Sequence, residues 1–432
     1  MPSASCLARV RLRSAPTLRA LKPYRIRGRV VISHEVPAVV VGAGINGLGV
    51  ARSLAHARVP VWLLDADARQ PEMRTRMARP LQIHGLHGEA LIEALEHLGK
   101  ERFAGLRPVL FLTQEETVKT ISHHRDRLTS FYRFSLPRQD TVDALLHKYG
   151  FQRLAEQYDA PIPKLVRVTT QAGLAELEGV RYPAVVKPGE RNAGYSRQFK
   201  KAYRVESAAE AGDLVRSILA VMPDVVVQEW IAGPDSNIHF CLQYLDRKSR
   251  MVASFTGRKI RSWPPEVGGT ASCTAAPEAH AELSAITARF FRDAGVTGMA
   301  GMEYKRDARS GEMRMVEPTI GRTDYQEEVA TLNGVNLPFA AYSSELGLPV
   351  PAPATPLTRA VWRVRLEDEQ SALLQHQRAG SGFPRGSHLT DALWRWNDPM
   401  PFMAQNLQRV RRMLRKRMSK SAARPRAVEA KP

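Results

Sequence analysis

Residues 298–322 read GMAGMEYKRDARSGEMRMVEPTIGR, and two carboxylates within them set the problem. Apolar segments flank the polar, glycine-containing stretch RDARSGE, the pattern of two strands joined by a turn. The turn centre lies near residue 310, and Glu303 and Glu317 are equally far from it, so hairpin pairing sets them opposite each other. Two bare carboxylates facing across a ladder repel. Met315, Val316 and Pro318 around Glu317 argue against a merely solvated pair. A Mg²⁺ ion between them, bridging to phosphate oxygens, resolves the repulsion.

A second signature lies upstream. Val39–Val41 is a β-branched run, and Gly42, Gly44 and Gly47 then spell G-x-G-x-x-G. A helical pattern follows, then a strand over Val61–Leu64 that ends at Asp65. In a dinucleotide-binding unit the glycines bring backbone N–H groups to a pyrophosphate, and the acid about 20 positions later holds a ribose. One reading of the chain is therefore an NAD- or FAD-dependent oxidoreductase.

The bulk properties narrow the field. At 432 residues the chain exceeds one compact core. No apolar run approaches the length of a membrane span. Cys6, Cys241 and Cys273 have no metal or redox spacing, which suggests a reducing compartment. The net charge of +20 is concentrated at the ends: residues 1–36 hold eight Arg or Lys and one Glu, and residues 401–432 hold ten and one. A nucleic-acid partner is therefore not expected. The basic end RVRRMLRKRMSK reads as a solvated tail or as a weak contact with an anionic membrane. The Arg-rich leader resembles a transit peptide and stands outside the fold argument. The histidines make no zinc or triad constellation.

Five further features occur in order: HKYGFQRLAEQYDAPIPK, YPAVVKP, GERNAGYSRQFKKAYRV, VVVQEWIAGPDSN, and the Glu303–Glu317 segment. The set resembles the ATP-grasp superfamily over roughly residues 126–345, with a carboxylate–amine ligase of the amino-acid-ligase type as the nearest form. No G-x-x-x-x-G-K-[ST] competes as a phosphate loop. The expected fold class is α/β: a Rossmann-like domain at 37–125, then a two-subdomain α+β ATP-grasp fold at 126–345. A C-terminal extension follows at 346–405 and a basic tail at 406–432, and the leader at 1–36 is expected to be disordered.

The resemblance implies roles. Lys148 and Lys187 contact the α- and β-phosphates, and the loop Gly189–Ser196, with Gly194 and Ser196, closes over ATP. Gln228, Glu229, Trp230 and Ile231 line adenine, and Asp235 reaches the ribose. Glu303, Glu317 and Thr319 hold Mg²⁺, with Mn²⁺ as an alternative. Arg322 stabilises the transferring phosphoryl group, and Arg258, Lys259 and Arg261 lie near the γ-phosphate and the carboxylate substrate. The family's usual Asn two residues after the second glutamate is Thr319 here. Gly42, Gly44, Asn46 and Gly47 become a substrate loop, and Asp324, Tyr325 and Gln326 shape the amine side. The expected reaction joins a carboxylate to an amine through an acyl phosphate, releasing ADP and phosphate. A cell-envelope or polysaccharide precursor suits it as substrate, in the cytoplasm or at the membrane surface. The alternatives are the oxidoreductase and a non-catalytic ATP-grasp module.

Overall fold

The computed structural model describes residues 24–26, 29–31, 35–189, 193–200, 202–266, 268–352, 359–378 and 380–422; for 24–31, 193, 194, 196 and 416–422 it describes the backbone alone. Within the leader, Tyr24–Ile26 pairs antiparallel with Arg29–Val31, against the disorder expected there; the rest of the leader up to residue 34 and the outermost part of the basic tail fall outside those residues.

The chain first builds a four-stranded parallel sheet in the order Arg79–Gln82, Val61–Asp65, Ala38–Val41, Val109–Leu112. The two central strands and Val109–Leu112 are buried on both faces, as their unbroken apolar runs require. The connecting helices are Gly44–His56 and Gly88–Glu101, with Glu115–His123 following the last strand. This is the expected Rossmann-like unit. The edge strand RPLQ has no apolar pattern, and the sequence reading did not separate it from loop.

Two further sheets follow, antiparallel except for the last pair of the larger one, where Ala360–Arg363 and His388–Asp391 run parallel. The smaller runs Leu165–Val168, Val225–Glu229, Ala184–Pro188, Tyr203–Val205, and packs its core under the helix Ala208–Leu219. The larger has seven strands, in the order Met313–Ile320, Gly298–Arg306, Ile238–Leu245, Met251–Trp263, Gly269–Ala275, Ala360–Arg363, His388–Asp391. Glu303 pairs with Glu317, as equal distance from the turn predicted, and a bulge follows between Glu303 and Tyr304. One apolar cluster joins Phe240, Leu242, Phe255, Cys273 and Trp362 of the large sheet to the Rossmann-like unit. The other face carries Cys241, Met302, Tyr304 and Met315 under the helices His280–Asp293 and Lys148–Gln157.

Two expectations change in detail. Residues 346–405 are not an appendage: Ala360–Arg363 pairs with Gly269–Ala275, and His388–Asp391 pairs with Ala360–Arg363, so they complete the large sheet. The loop Gly189–Ser196, expected as a phosphate-covering loop, contains the start of a short helix, Ala193–Gln198. Residues 190–192 and the side chain of Ser196 lie outside the described residues, and Gly194 is described by its backbone.

Candidate functional site

The centre of the site is the Glu303–Glu317 rung. Strand periodicity puts Gly301, Glu303 and Lys305 on one face, and Thr319 lies two residues beyond Glu317 on its own strand. Lys259, on the Met251–Trp263 strand, carries its ammonium to 2.7 Å from Glu303 Oε2. Burial alone would depress the Lys259 pKa, but the carboxylates of Glu303, Asp324 and Asp235 outweigh it and hold the pKa above the ordinary lysine value. Glu317 is exposed and Glu303 only partly buried, so both carboxylates open toward solvent.

Lys305 was not singled out from the sequence. Its ammonium is buried 4.8 Å from the centroid of the Trp230 ring. Burial pushes its pKa down despite Asp235, Glu266 and Glu303. The available signal was the period-two spacing from Glu303.

The smaller sheet supplies the lysines. Lys187 lies opposite Val226 and donates to Gln228 Oε1 at 3.2 Å. Lys148 opens the helix Lys148–Gln157, which His147 caps by accepting from the Gly150 N–H, and reaches the Gly189 carbonyl at 3.4 Å. Lys148 thus reaches past the end of the Ala184–Pro188 strand, while Lys187 leans along the strand toward Gln228, opposite Val185. Beyond Glu229 the chain leaves the sheet. The Trp230 N–H donates to the Pro183 carbonyl, Arg309 donates to the Trp230 carbonyl at 3.1 Å, and the Ala308 N–H donates to the Ala232 carbonyl. The turn of the carboxylate hairpin thus straps the segment that links the two sheets. Glu229 itself lies 3.7 Å from Arg181.

Other predicted residues have different employment. Arg261 is 1% exposed, with Nε 2.8 Å from an Asp368 oxygen and Nη1 2.7 Å from the Ser381 carbonyl. It clamps the helix Arg365–Leu374 and the loop after it, so its guanidinium is turned away from the carboxylate rung; its bulged strand gives no sequence signal of this. Asp235 is buried and accepts from the Ser262 and Glu266 N–H groups and from Gln375, so its oxygens serve the turn at 262–266. Arg258, on the same strand, is half-buried, with no hydrogen bond or ion pair among the described residues.

The glycine fingerprint is equally informative. Gly42 has φ +93°, and a Cβ there would fall 2.3 Å from Thr113 Oγ1; one at Gly47 would fall 2.0 Å from the Gly42 carbonyl. These glycines permit close packing. Asp65 is 4% exposed and accepts from the Ala43 N–H at 2.7 Å and the Asp67 N–H at 2.9 Å. The acid that would hold a ribose is consumed in fastening the loop. Asn46 donates to the Thr113 and Thr323 carbonyls and accepts from Thr323 Oγ1 at 2.6 Å. Arg322 donates to the same Thr323 carbonyl. The loop therefore abuts the exit of the carboxylate hairpin, where Asp324 accepts from the Tyr325 N–H and from Gln326.

No family model matches the chain. A D-aspartate ligase of Enterococcus faecium (strain Aus0004) is 24% identical over 322 residues, 71% of this chain and 75% of that protein. An N5-carboxyaminoimidazole ribonucleotide synthetase solved with ADP superposes with a TM-score of 0.60 at 15% identity, covering 79% of this chain and 85% of that one. The biotin carboxylase domain of the Hydrogenobacter thermophilus 2-oxoglutarate carboxylase, solved with MgADP and bicarbonate, gives 0.59 at 12% identity over 76% and 74%. The chain shares the ATP-grasp fold of these structures, with a Rossmann-like N-terminal domain, and is similar in sequence to a D-aspartate ligase.

Proposed function

We propose that the chain binds Mg-ATP between the smaller and the larger of these sheets and joins a small carboxylate to an amine through an acyl phosphate, releasing ADP and phosphate. The observation that carries this reading is the pairing of Glu303 with Glu317 across one rung, beside the buried Lys259. Two carboxylates plus the Thr319 hydroxyl are a partial donor set. They fit an octahedral Mg²⁺, or Mn²⁺ in its place, that takes its other ligands from phosphate and water. Among the described residues no group of three or more His, Cys, Asp or Glu side chains forms a complete protein cage. The ion would neutralise charge on the transferring phosphoryl group.

The chain's own residues do the positioning. Lys148 and Lys187 bring two cations to the phosphates from the smaller sheet, and the Gly189–Ser196 segment covers them. The backbone from Glu229 to Ile231 meets the adenine edge, and Lys305 stacked on Trp230 sets the wall of that pocket. Lys259 holds Glu303 in place; Arg258 and Arg322 face the γ-phosphate and the carboxylate. Water exclusion then protects the acyl phosphate until the amine attacks its carbonyl carbon. The glycine loop, fastened to Thr323 by Asn46, lies where the acid and amine enter. The relative's activity points to the carboxylate of an acidic amino acid, D-aspartate first, with an amine on a cell-envelope precursor as acceptor.

The test is nucleotide release with Mg-ATP and D-aspartate, with and without hydroxylamine. Release of ADP, with hydroxamate formed in equal amount, supports the acyl phosphate. Release of AMP and pyrophosphate sinks it. Thermal stabilisation by NADH or FAD and none by Mg-ATP restores the oxidoreductase reading.

A further inference from the structure

The C-terminal helix Met400–Ala422 carries an apolar stripe that no described residue covers. Met400, Met403, Leu407, Val410 and Leu414 recur three and four residues apart, which places them on one side of a helix. Each is between 40% and 55% exposed. The helix is nevertheless firmly mounted. Asp398, fully buried just before it, accepts from Arg52, Thr75 and the Arg76 N–H. Pro401 is buried, Phe402 packs edge-to-face on Trp394, and Gln408 donates to the Arg69 carbonyl. The opposite side of the helix is thus spent on the Rossmann-like unit, and the stripe faces outward. Trp396, in the turn that enters the helix, is 88% exposed.

The charge identifies the partner. The helix sequence holds seven Arg or Lys and no Asp or Glu, and no acid occurs from Pro399 to Val428. A second copy of the helix laid on the stripe would set seven cations against seven, so self-association is opposed. A polyanion without an apolar phase would leave the stripe in water. A bilayer surface with anionic headgroups meets both features: the stripe enters the headgroup boundary while Arg411 and Arg415, at its margins, extend to the phosphates. No described helix is long and apolar enough to cross a membrane, so the contact is peripheral. We infer that this helix docks the protein on an anionic membrane surface, with the apolar stripe inserted and the arginines on headgroup phosphates. This gives the solvated-tail alternative a specific competitor and is independent of the ligase reading.

The full-length protein is sedimented with vesicles of phosphatidylcholine alone or with about one-third phosphatidylglycerol, at about 0.1 M salt. The expected result is binding to the anionic vesicles only. Leu407→Gln/Val410→Gln and Arg411→Gln/Arg415→Gln should each lower the partition coefficient roughly tenfold or more. The four residues are exposed, so the variants should keep the wild-type melting temperature. Absence of binding to anionic vesicles overturns the proposal. Binding that the apolar pair leaves unchanged also overturns it, because attraction is then electrostatic alone. A dimer in light scattering that Leu407→Gln/Val410→Gln dissolves, with no vesicle binding, would assign the stripe to a second copy.

Discussion

The glycine loop at 42–47 and the carboxylate hairpin at 298–320 are both signatures for binding a phosphate-bearing ligand, and each includes an acid in a telling place. In the loop that acid, Asp65, is sealed and its oxygens are taken by backbone N–H groups. In the hairpin the acids face each other at a sheet surface that opens to solvent. Residue type and spacing are right in both. What separates them is burial: a sealed carboxylate with two N–H donors is structure, and a facing pair of carboxylates that opens to solvent is a place for a cation. The same contrast recurs two residues apart on one strand. Lys259 leans to the rung, whereas Arg261 is locked to Asp368.

The sharpest way to break that contrast is Glu317→Gln. If the rung holds Mg²⁺, ADP release should fall roughly 10³-fold, the scale of losing several kcal/mol of transition-state charge stabilisation. Because Glu317 is exposed, stability should stay within about 0.5 kcal/mol of wild type. A fully active variant would return the pair to the status of solvated surface.

Asp368→Ala makes the opposite prediction. Both partners of the Arg261–Asp368 pair are 1% exposed, and removing one leaves a buried charge behind. The expected cost is about 3–5 kcal/mol in urea unfolding, while Arg261→Met/Asp368→Leu together should recover much of it. If Asp368→Ala instead raised the KM for the carboxylate without loss of stability, Arg261 would belong to the site after all.

Much of this was legible in the residues, and the misses have physical causes. The Glu303–Glu317 pairing was legible from near-equal distance to the turn, but the bulge between Glu303 and Tyr304 supplies the last step of register that sets Glu317, and not Val316, opposite Glu303. The parallel unit followed from uninterrupted apolar strands. The strands Arg79–Gln82, Gly269–Ala275, Ala360–Arg363 and His388–Asp391 were missed: the first and last are polar edges, and the others take their places from distant partners. Within the site, period-two spacing from Glu303 flags Lys305, but the fate of Arg261 and Asp235 depends on contacts from 27 to 140 positions away, which no local pattern encodes.

Glu327 extends the comparison to a carboxyl that is buried with no strong cation beside it. It is 1% exposed, and burial, reinforced by Glu328, raises its pKa from 4.5 to about 8. The folded state then holds a proton that the unfolded state has lost. Its contribution is intact below about pH 4.5 and is lost as pH rises toward 8, so stability declines across that window. Glu327→Gln, which keeps the shape and removes the ionisation, should raise the melting temperature at pH 8.5 by several degrees, the scale of about 2 kcal/mol, and change it little at pH 4.5. An equal shift at both pH values would show that packing and not protonation is being read.

The smallest effect tests the loop directly. Asp65→Asn retains one oxygen for the Ala43 N–H but turns an amide NH₂ toward the Asp67 N–H, so one of two hydrogen bonds is lost. The expected cost is about 1 kcal/mol, with nucleotide release from Mg-ATP unchanged. In a working dinucleotide site the same substitution would leave stability nearly untouched and weaken nicotinamide binding, because the acid would be meeting the ribose and not its own loop. The two outcomes lie on different axes, one in unfolding and one in ligand affinity. A stability loss with no change in any nicotinamide response would establish that the fingerprint survives here as a packing device, its acid turned inward to hold the turn that sets Asn46 against Thr323.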